Sequence, residues 1–498
     1  MPQEQREGVL VTPQHRLSDS QIKLVDEVSR ELLQEPGLLC GRQEVIDLFQ
    51  KAGAKISATD KGAYIRLPDS IIDQTLDSAP SKIVLGARNP DNRLILDAYE
   101  PRVRFVSGAE TNIWLEVEFE GTTPKFTRRN GSIERLCRAA HLGDHLDNLD
   151  SFIRCVNIQD QEITEKNHDV NKYLASLNNI TKHVQAGLTD LAALDDVIRM
   201  GEIIAGGQEA FKENPVLSFI TCVIKSPLEV VSDTALKLIE IAKRRVPVVV
   251  SSSPMGGATA PFDEFGMVAQ INAEILAGVA LTQLVAPGAP VLYGSVPVRT
   301  RLDNLYDMYG APEFNHYHHD CAQMARFYGL PCYSTANVGD SSVPGIQATV
   351  EKMITLMSAP WSGAQYIHYA FGLLERTNVF CPEQAIMDDA HIGIVKYALG
   401  TPPISEERRG DVLAMVREVM ETDHRTYLYH LPLPTQELVY VRYPLEDEEG
   451  GALLAAHRRY HEIMALPRHH LPEEIQEELL AKVPGILPWS LNSKREEE

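Results

Sequence analysis

The chain has 498 residues, of which 44% are hydrophobic, so it is long enough for one very large core or for several domains. Its 69 acidic and 47 basic residues give a formal charge of −22, which disfavours binding to nucleic acid and to anionic membrane surfaces. There is no apolar stretch typical of a membrane span and no signal-peptide pattern, and the seven cysteines form no Cys-x-x-Cys pair. These features predict a cytoplasmic protein with reduced thiols.

Residues 1–100 predict a small α+β cap. Ser18 precedes an amphipathic helix that runs to Gln34, and a second helix is predicted over 43–52. A strand is expected at 63–67, and Pro68 then stands where a third helix begins. Two more short strands are predicted at 82–85 and 93–97.

Residues 101–402 show one strand-then-helix unit eight times. Each unit is a short apolar run followed by a helical pattern of roughly 11–20 residues. The runs begin at Val103, Phe152, His183, Leu217, Val246, Pro290, Pro331 and Gln365. Eight such units predict an α/β fold of the TIM type, a (β/α)8 barrel.

Residues 403–498 predict a helical extension that packs on the barrel or on a partner subunit. Helices are expected at 404–421, 453–464 and 473–483, and an extended segment is expected at 435–443.

In a βα barrel the working residues follow the strands, so the strand ends are the candidate site. Small residues are frequent there and predict an open face that could accept something large, although tight turns also explain each glycine. The rim candidates are Gly108, Gly256, Gly257 and Ser295. Motifs for dinucleotide, phosphate, serine-nucleophile and zinc-protease chemistry are absent from the sequence.

The densest histidine cluster lies between His316 and Cys321. If a helix starts there, His316 and His319 share a face and could bind zinc. No further ligand stands at a fixed spacing, so we favour a polar helix start and expect no metal.

Aromatic residues follow the later strands, and aromatic faces attract quaternary ammonium groups. Tyr293, Tyr369 and Phe371 lie nearest the predicted strand ends and are the candidates for such a box. Ordinary core packing is the alternative for each of them.

Several longer motifs, taken together, resemble one family. They include Gly256-Gly-Ala-Thr-Ala-Pro261, Ala273-Glu-Ile-Leu-Ala-Gly278, Tyr309-Gly-Ala-Pro-Glu313 and Gly372-Leu-Leu-Glu375. In their order along the chain they resemble the trimethylamine methyltransferase superfamily, specifically its branch without pyrrolysine, which includes glycine betaine:corrinoid methyltransferases. The resemblance implies a TIM-type barrel that passes a methyl group from an amine to the Co(I) of a corrinoid, which is carried by a separate small protein.

One departure from the family pattern predicts the substrate class. Trimethylamine enzymes carry pyrrolysine in the loop after strand seven, whereas here the loop 335–344 holds only standard residues. A quaternary amine leaves as a neutral tertiary amine without activation, so we expect a quaternary amine. Glycine betaine is the first candidate, with proline betaine, carnitine, choline and γ-butyrobetaine as alternatives.

The resemblance also places individual residues. Asn337, Asp340 and Ser341 are expected to line the loop that takes the pyrrolysine position. Glu313 and Glu375 lie in family motifs and are expected to orient that loop or the substrate, or else to make structural hydrogen bonds.

A betaine carboxylate needs a partner, and arginine is the natural one. Among the arginines after strands six and eight we favour Arg299, with an ion pair to a rim carboxylate as the alternative, and His368 could donate a hydrogen bond instead. We expect a homo-oligomer and no tightly bound cofactor. The rival hypotheses are a barrel that binds a quaternary amine without turnover and a zinc-dependent methyltransferase that uses the His316–Cys321 cluster.

Overall fold

The computed structural model describes residues 6–402, 404–427, 445 and 451–489. Eight parallel strands run through the middle of the chain, and each overlaps one of the eight predicted apolar runs. They are β1 (Arg102–Phe105), β2 (Phe152–Ile153), β3 (Val184–Ala186), β4 (Leu217–Cys222), β5 (Val248–Ser252), β6 (Val291–Ser295), β7 (Cys332–Thr335) and β8 (Tyr366–His368).

These strands form a curled, nine-stranded sheet in a mixed α/β fold. Strands β2 to β8 are neighbours in chain order, and β8 also pairs in parallel with β1. The ninth strand, Val9–Leu10, pairs antiparallel with β1. One parallel bridge joins Val106 to Ser151, and the Asp150 N–H donates to the Phe105 carbonyl at 2.7 Å. The segments that contain β1 and β2 are therefore in contact.

A helix follows each parallel strand. The eight helices are α1 (Ile133–Asp144), α2 (Glu165–Leu177), α3 (Leu194–Ala205), α4 (Ser232–Lys243), α5 (Glu264–Val285), α6 (Pro312–Phe327), α7 (Ile346–Ser358) and α8 (Pro382–Leu399). Their starts carry ordinary signals, such as the Ser132 side chain that caps α1 and the prolines that open α6 and α8. A short helix, Gln208–Glu213, follows α3.

Helix α5 is apolar on all sides. It is long and apolar enough to cross a membrane by length and composition, but 89% of its most apolar window is buried within the protein. Such burial is typical of the core helix of a large domain.

A hairpin fills the interior of the sheet at one end. Its strands, Lys82–Leu85 and Leu94–Asp97, place Ile83 and Leu96 in one buried cluster with Val106 and Tyr333. Gly86 donates its N–H to the carbonyl of Pro215, just before β4, so the hairpin lies at the amino ends of the strands. The opposite end, where the strands finish, is called the carboxyl edge below.

The other N-terminal elements pack on the helices. They are the helices Asp19–Gln34, Gln43–Lys51 and Asp69–Ser78 and the strands Leu38–Cys40, Lys55–Thr59 and Gly62–Arg66. The Ser29 hydroxyl donates to the Ala269 carbonyl of α5 at 2.9 Å, and Leu38–Cys40 pairs with Glu229–Val230 after β4. The N-terminal segment is thus attached to the βα units through buried contacts.

Further strands lie in the loops at the carboxyl edge. A four-stranded sheet is formed by Ile113–Glu120, Thr123–Asn130, Leu373–Leu374 and Val379–Phe380. Shorter strands are Ile224–Lys225, Met255–Gly256, Val298–Thr300 and Asp307–Met308. The loops after β1, β6 and β8 are therefore structured.

The C-terminal region contains the helices Arg409–Met420, Gly451–Met464 and Glu473–Lys482. The second of these contacts α1, because His141 Nε2 lies 2.9 Å from the Ile463 carbonyl. Helix Arg409–Met420 has one buried residue, Val419, and exposes Val412, Leu413, Met415, Val416 and Met420. The extended segment predicted at 435–443 lies outside the described residues, and the predicted homo-oligomer stays a prediction.

Candidate functional site

Tyr369 lies at the carboxyl edge, directly after β8, and its side chain is partly exposed. Its backbone has φ +66°, which a tyrosine rarely adopts, and its N–H donates to the Ser107 carbonyl at 3.3 Å. A Cβ atom at Gly108 would lie 2.8 Å from the Tyr369 ring. Gly108 therefore makes room for this ring, and strain of this kind is often found at functional sites.

A second aromatic ring stands beside Tyr369. The ring centroids of Tyr309 and Tyr369 are 6.4 Å apart with an interplanar angle of 60°, and Phe314 packs behind Tyr309 at 5.6 Å. Asp340 fixes this arrangement, because its two carboxylate oxygens accept the N–H groups of Tyr309 and Gly310 at 3.0 and 3.2 Å. The two tyrosines form an aromatic corner on the carboxyl edge.

Two acidic side chains flank the corner. Glu110 forms an ion pair with Arg154, and burial raises the pKa of Asp307 while the charge of Arg376 opposes that rise. Burial raises the pKa of Tyr369 as well, and the Cys222 thiol, Glu110 and Asp307 add to the rise. Both carboxylates therefore lie close enough to raise the pKa of the Tyr369 hydroxyl, and each has a cation nearby.

Asn337 is fully buried and has φ +62°. Its Nδ2 donates to the Ala370 carbonyl at 2.5 Å, its N–H donates to Thr355 Oγ1, and its carbonyl accepts from Lys352. Asn337 Oδ1 has no hydrogen-bond partner among the described residues. This residue joins the loop after β7 to the loop after β8.

Ser341 and Glu375 continue this junction. The Ser341 carbonyl accepts the Glu375 N–H at 2.7 Å, and the Ser341 hydroxyl donates to the Val343 carbonyl at 2.9 Å. Glu375, with φ +48°, also accepts a hydrogen bond from Arg128 at 2.6 Å. These two residues thus make structural contacts between the loops.

Two of the residues predicted for the aromatic box, Tyr293 and Phe371, lie away from the carboxyl edge. Tyr293 of β6 is fully buried and points towards the helices, where its hydroxyl donates to Asn272 Oδ1 of α5 at 2.9 Å. Phe371 lines a small apolar space with Phe152 and Leu142, between the sheet and α1. Neither ring faces the corner, because each packs towards the helices.

The two predicted carboxylate partners are already engaged. Arg299 donates to the Phe262 carbonyl at 2.7 Å, and its guanidinium carbon lies 3.3 Å from the centroid of the Phe262 ring. Its Nε is 4.0 Å from Glu313, whose side chain is 37% exposed. Burial lowers the pKa of His368 to about 3, and its Nδ1 lies 2.8 Å from the Ser334 carbonyl. His368 is therefore a neutral residue that stacks on Tyr333 at 4.1 Å.

The remaining rim candidates have local packing roles. A Cβ at Gly256 would lie 3.0 Å from the Tyr317 hydroxyl, and one at Gly257, which has φ +96°, would lie 2.9 Å from the Phe262 ring. Ser295 is buried and donates to the Tyr333 carbonyl at 3.3 Å. Glu110 and Cys222 are exposed, and both raise the pKa of Tyr369.

The histidine cluster is divided among separate partners. His316 Nδ1 lies 2.7 Å from Glu264, whereas His319 Nε2 lies 2.7 Å from the Ser358 carbonyl and Cys321 is buried. In the part of the chain that the structure describes, no group of three or more His, Cys, Asp and Glu side chains could hold a metal ion.

A large cavity lies at the other end of the sheet. It measures about 1250 Å³ and is lined by Pro215, Pro247 and Pro290, which precede β4, β5 and β6. None of the predicted site residues lines it. The candidate site at the carboxyl edge therefore rests on the strand ends, backbone strain and charge, and not on cavity size.

Arg154 and Asp307 are not among the site residues that the sequence predicts. Arg154 could have been noticed, because it is a charged residue inside the apolar run Phe152-Ile-Arg-Cys-Val. A buried cation needs a partner, and a partner search would have led to the strand ends.

Comparison with known proteins agrees with the motifs. A family model described as trimethylamine methyltransferase (MTTB) matches residues 6–429. The chain is 29% identical over 476 residues to a trimethylamine methyltransferase MttB of Desulfitobacterium hafniense (strain DSM 10664 / DCB-2), covering 94% of this chain and 92% of the relative. It is 25% identical over 490 residues to a glycine betaine methyltransferase of Desulfitobacterium hafniense (strain Y51), covering 96% and 98%. It is 28% identical over 393 residues to the MttB protein of Methanosarcina barkeri, covering 78% and 76%. The chain therefore belongs to the trimethylamine methyltransferase family.

Proposed function

We propose that this protein transfers a methyl group from a quaternary amine to the Co(I) of a corrinoid that a separate small protein carries. The observation that supports the quaternary amine best is the corner of Tyr369 and Tyr309, with Glu110 and Asp307 beside it. Aromatic faces bind a diffuse cation that cannot donate hydrogen bonds, and each ring contributes about 0.5–2 kcal/mol. The loop 335–344 holds no pyrrolysine, which fits a substrate that needs no activation.

We also propose that the curled sheet closes as a complete (β/α)8 barrel. The bridge between Val106 and Ser151 supports closure, as does the hydrogen bond from Asp150 to Phe105. A closed barrel would place all eight strand ends around the aromatic corner.

The proposed reaction requires no proton transfer by an acidic or basic side chain of the protein. The acceptor supplies the electron pair for the new bond to carbon, the carbon–nitrogen pair stays on nitrogen, and the amine leaves neutral. The protein positions the methyl group and limits water around it. Glu110, Cys222 and Tyr369 are at least partly exposed, so an acceptor carried on another protein could reach this edge.

Glu110 and Asp307 suit this reaction because each carboxylate has a cation beside it. The positive charge on the substrate nitrogen disappears during transfer, so a strong unpaired carboxylate would stabilise the ground state more than the transition state. Arg154 neutralises Glu110, and Arg376 offsets Asp307. Each acid therefore attracts the cation only weakly.

We assign the loop residues a positioning role. The hydrogen bonds of Asn337, Asp340 and Ser341 are directed to neighbouring loops, and they hold Tyr309 and the strained segment at Glu375 in place. Glu313 and Arg299 support the loop after β6 in the same manner.

The first test is turnover by purified protein with reduced cobalamin and with glycine betaine, choline or trimethylamine as methyl donor. We expect methylcobalamin and a demethylated tertiary amine from at least one quaternary amine. Conversion of trimethylamine alone would contradict the proposal, and binding of a quaternary amine without transfer would favour a binding protein.

A second test separates the ring of Tyr369 from its hydroxyl. Tyr369→Ala should raise the dissociation constant of tetramethylammonium by roughly 2- to 30-fold, the equivalent of one ring. Tyr369→Phe is the matched control and should leave it within about twofold. Equal constants for all three proteins would remove the aromatic corner from the site.

A further inference from the structure

A buried arginine lies beneath Glu110. Arg154 follows β2 and is 2% exposed, and its guanidinium donates to Asn157 Oδ1 at 3.0 Å and pairs with Glu110. Its Nε has no hydrogen-bond partner among the described residues. Glu110 thus supplies the only carboxylate within ion-pair distance that the structure describes for this guanidinium.

A second buried cation lies alongside. Lys172 of α2 is 1% exposed and donates to the Gly187 carbonyl at 2.6 Å, and it lies 2.5 Å from Asp169. Burial and the charge of Arg154 lower the pKa of Lys172, while Asp169 and Glu110 oppose the drop and leave it at about 8. Two cations and two carboxylates therefore form a neutral group at the β2–β3 side of the carboxyl edge.

The two carboxylates of this group are held very differently. Asp169 is fully buried and accepts the N–H groups of Thr189 and Asp190 as well as Lys172. The Glu110 side chain is 57% exposed and rests on Arg154. Glu110 is therefore the member that can leave while the rest stays in place.

Glu110 also lies where a substrate would reach. Its Oε1 is 3.5 Å from the position of a Cβ atom on Gly187, so the carboxylate extends from the loop after β1 to the end of β3. Its charge acts on both Tyr369 and Cys222. A group that replaced Glu110 on Arg154 would thus stand next to the aromatic corner.

We propose that Arg154, backed by Lys172, is a carboxylate subsite that Glu110 occupies in the free protein. The inference rests on the proposed function and narrows it to substrates with both a carboxylate and a quaternary nitrogen. A substrate carboxylate takes the place of Glu110, so the buried group stays neutral, and the released Glu110, whose side chain is already 57% exposed, turns to solvent. A plain cation cannot make this exchange. Arg154 thereby replaces Arg299, which is committed to Phe262, as the arginine that recognises a betaine.

Two ligands that differ only in the acidic arm test this subsite. Isothermal titration gives the dissociation constants of glycine betaine and tetramethylammonium for the wild-type protein and for two variants. Arg154→Gln should weaken glycine betaine at least tenfold and should not weaken tetramethylammonium. Glu110→Gln should tighten glycine betaine about three- to tenfold, since the competing carboxylate is gone, and should not tighten tetramethylammonium.

Controls keep the outcome decisive. Arg104→Gln removes another buried arginine, from β1, and should not change the ratio of the two constants. If Arg154→Gln does not fold, Glu110→Gln and the double variant Glu110→Gln/Arg154→Gln carry the test, because neither leaves an unpaired acid. An equal loss of both ligands in Glu110→Gln, or an unchanged ratio in the variants that lack Arg154, would overturn the subsite. Failure of the wild-type protein to bind either ligand would instead contradict the proposed function.

Discussion

Lys352 is expected to hold together the loops after β7 and β8, the second of which begins with Tyr369. It lies in α7 with a fully buried side chain, and its ammonium group donates to the Asn337 carbonyl at 2.7 Å and to Asp388 at 3.0 Å. Asp388 accepts in turn the Gly372 N–H, in the loop after β8, at 2.7 Å. One buried ion pair thus connects the loops after β7 and β8.

The substitution Lys352→Met keeps the length of the side chain and removes its charge. It leaves Asp388 as a buried carboxylate without its cation, and removing one partner of a buried pair costs about 3–5 kcal/mol. The Asn337 carbonyl also loses its hydrogen-bond donor, and the cost of about 3–5 kcal/mol includes this loss. We therefore expect the free energy of unfolding in urea to fall by about 3–5 kcal/mol, together with slower methyl transfer, because Asn337 loses a contact.

The double variant Lys352→Met/Asp388→Asn supplies the control. It removes both charges, and the asparagine can still accept the Gly372 N–H, so much of the lost stability should return. A double-mutant cycle from the urea midpoints measures the coupling between the two residues. A loss below about 1 kcal/mol for Lys352→Met, or additive losses in the double variant, would refute this reasoning.

Three further changes test separate parts of the site. Tyr293→Phe should cost about 1 kcal/mol of stability, since a buried hydrogen bond to Asn272 is lost, and should leave the dissociation constant of glycine betaine unchanged in titration calorimetry. Asp307→Asn should raise the KM for a quaternary amine a few-fold with kcat unchanged or higher in steady-state assays, because it removes ground-state attraction; a lower kcat would contradict this. The Lys172 pKa of about 8 lies below its unfolded value, so raising the pH through 8 removes a positive charge beside Arg154. Glycine betaine should then bind up to about tenfold more weakly per pH unit while tetramethylammonium does not, and parallel curves in titrations at pH 7, 8 and 9 would contradict the subsite.

The order of the elements could be predicted because each signal is local. The runs at Leu217–Cys222 and Lys82–Leu85 match the observed strands residue for residue, and the helix predicted to end at Gln34 ends there. Apolar runs, caps and breakers act over a few residues, so they can be read without knowing the rest of the fold.

The direction of side chains could not be predicted in the same way. Neighbouring residues in a strand point to opposite faces, and in a run such as Val291-Leu-Tyr both faces are apolar. Leu292 belongs to the inner cluster, whereas Tyr293 faces α5. Tyr293 therefore lies in the predicted strand, but its ring is on the opposite face of the sheet from Tyr369.

Contacts between residues that are far apart in the chain could not be predicted from the sequence either. Glu110 and Arg154 are 44 positions apart and meet because β1 and β2 come together. The spacing of glycines could suggest an open rim but not that Gly108 accommodates Tyr369 or that Gly257 accommodates Phe262. A glycine indicates that a side chain would not fit at its position, but only the fold shows which neighbouring group occupies the space.

In the proposed site, ion pairing also lets a strongly acidic protein bind a cation without holding it too tightly. If all the acids near Tyr369 were unpaired, they would favour the charged substrate over a transition state in which that charge is fading. Arg154 and Lys172 cancel Glu110 and Asp169 within a buried group, so the field at the corner depends on which carboxylate occupies Arg154. In this proposal a betaine keeps Arg154 paired through its own carboxylate while its nitrogen reaches the corner, whereas a cation without an acidic arm binds at the corner alone and leaves Glu110 on Arg154.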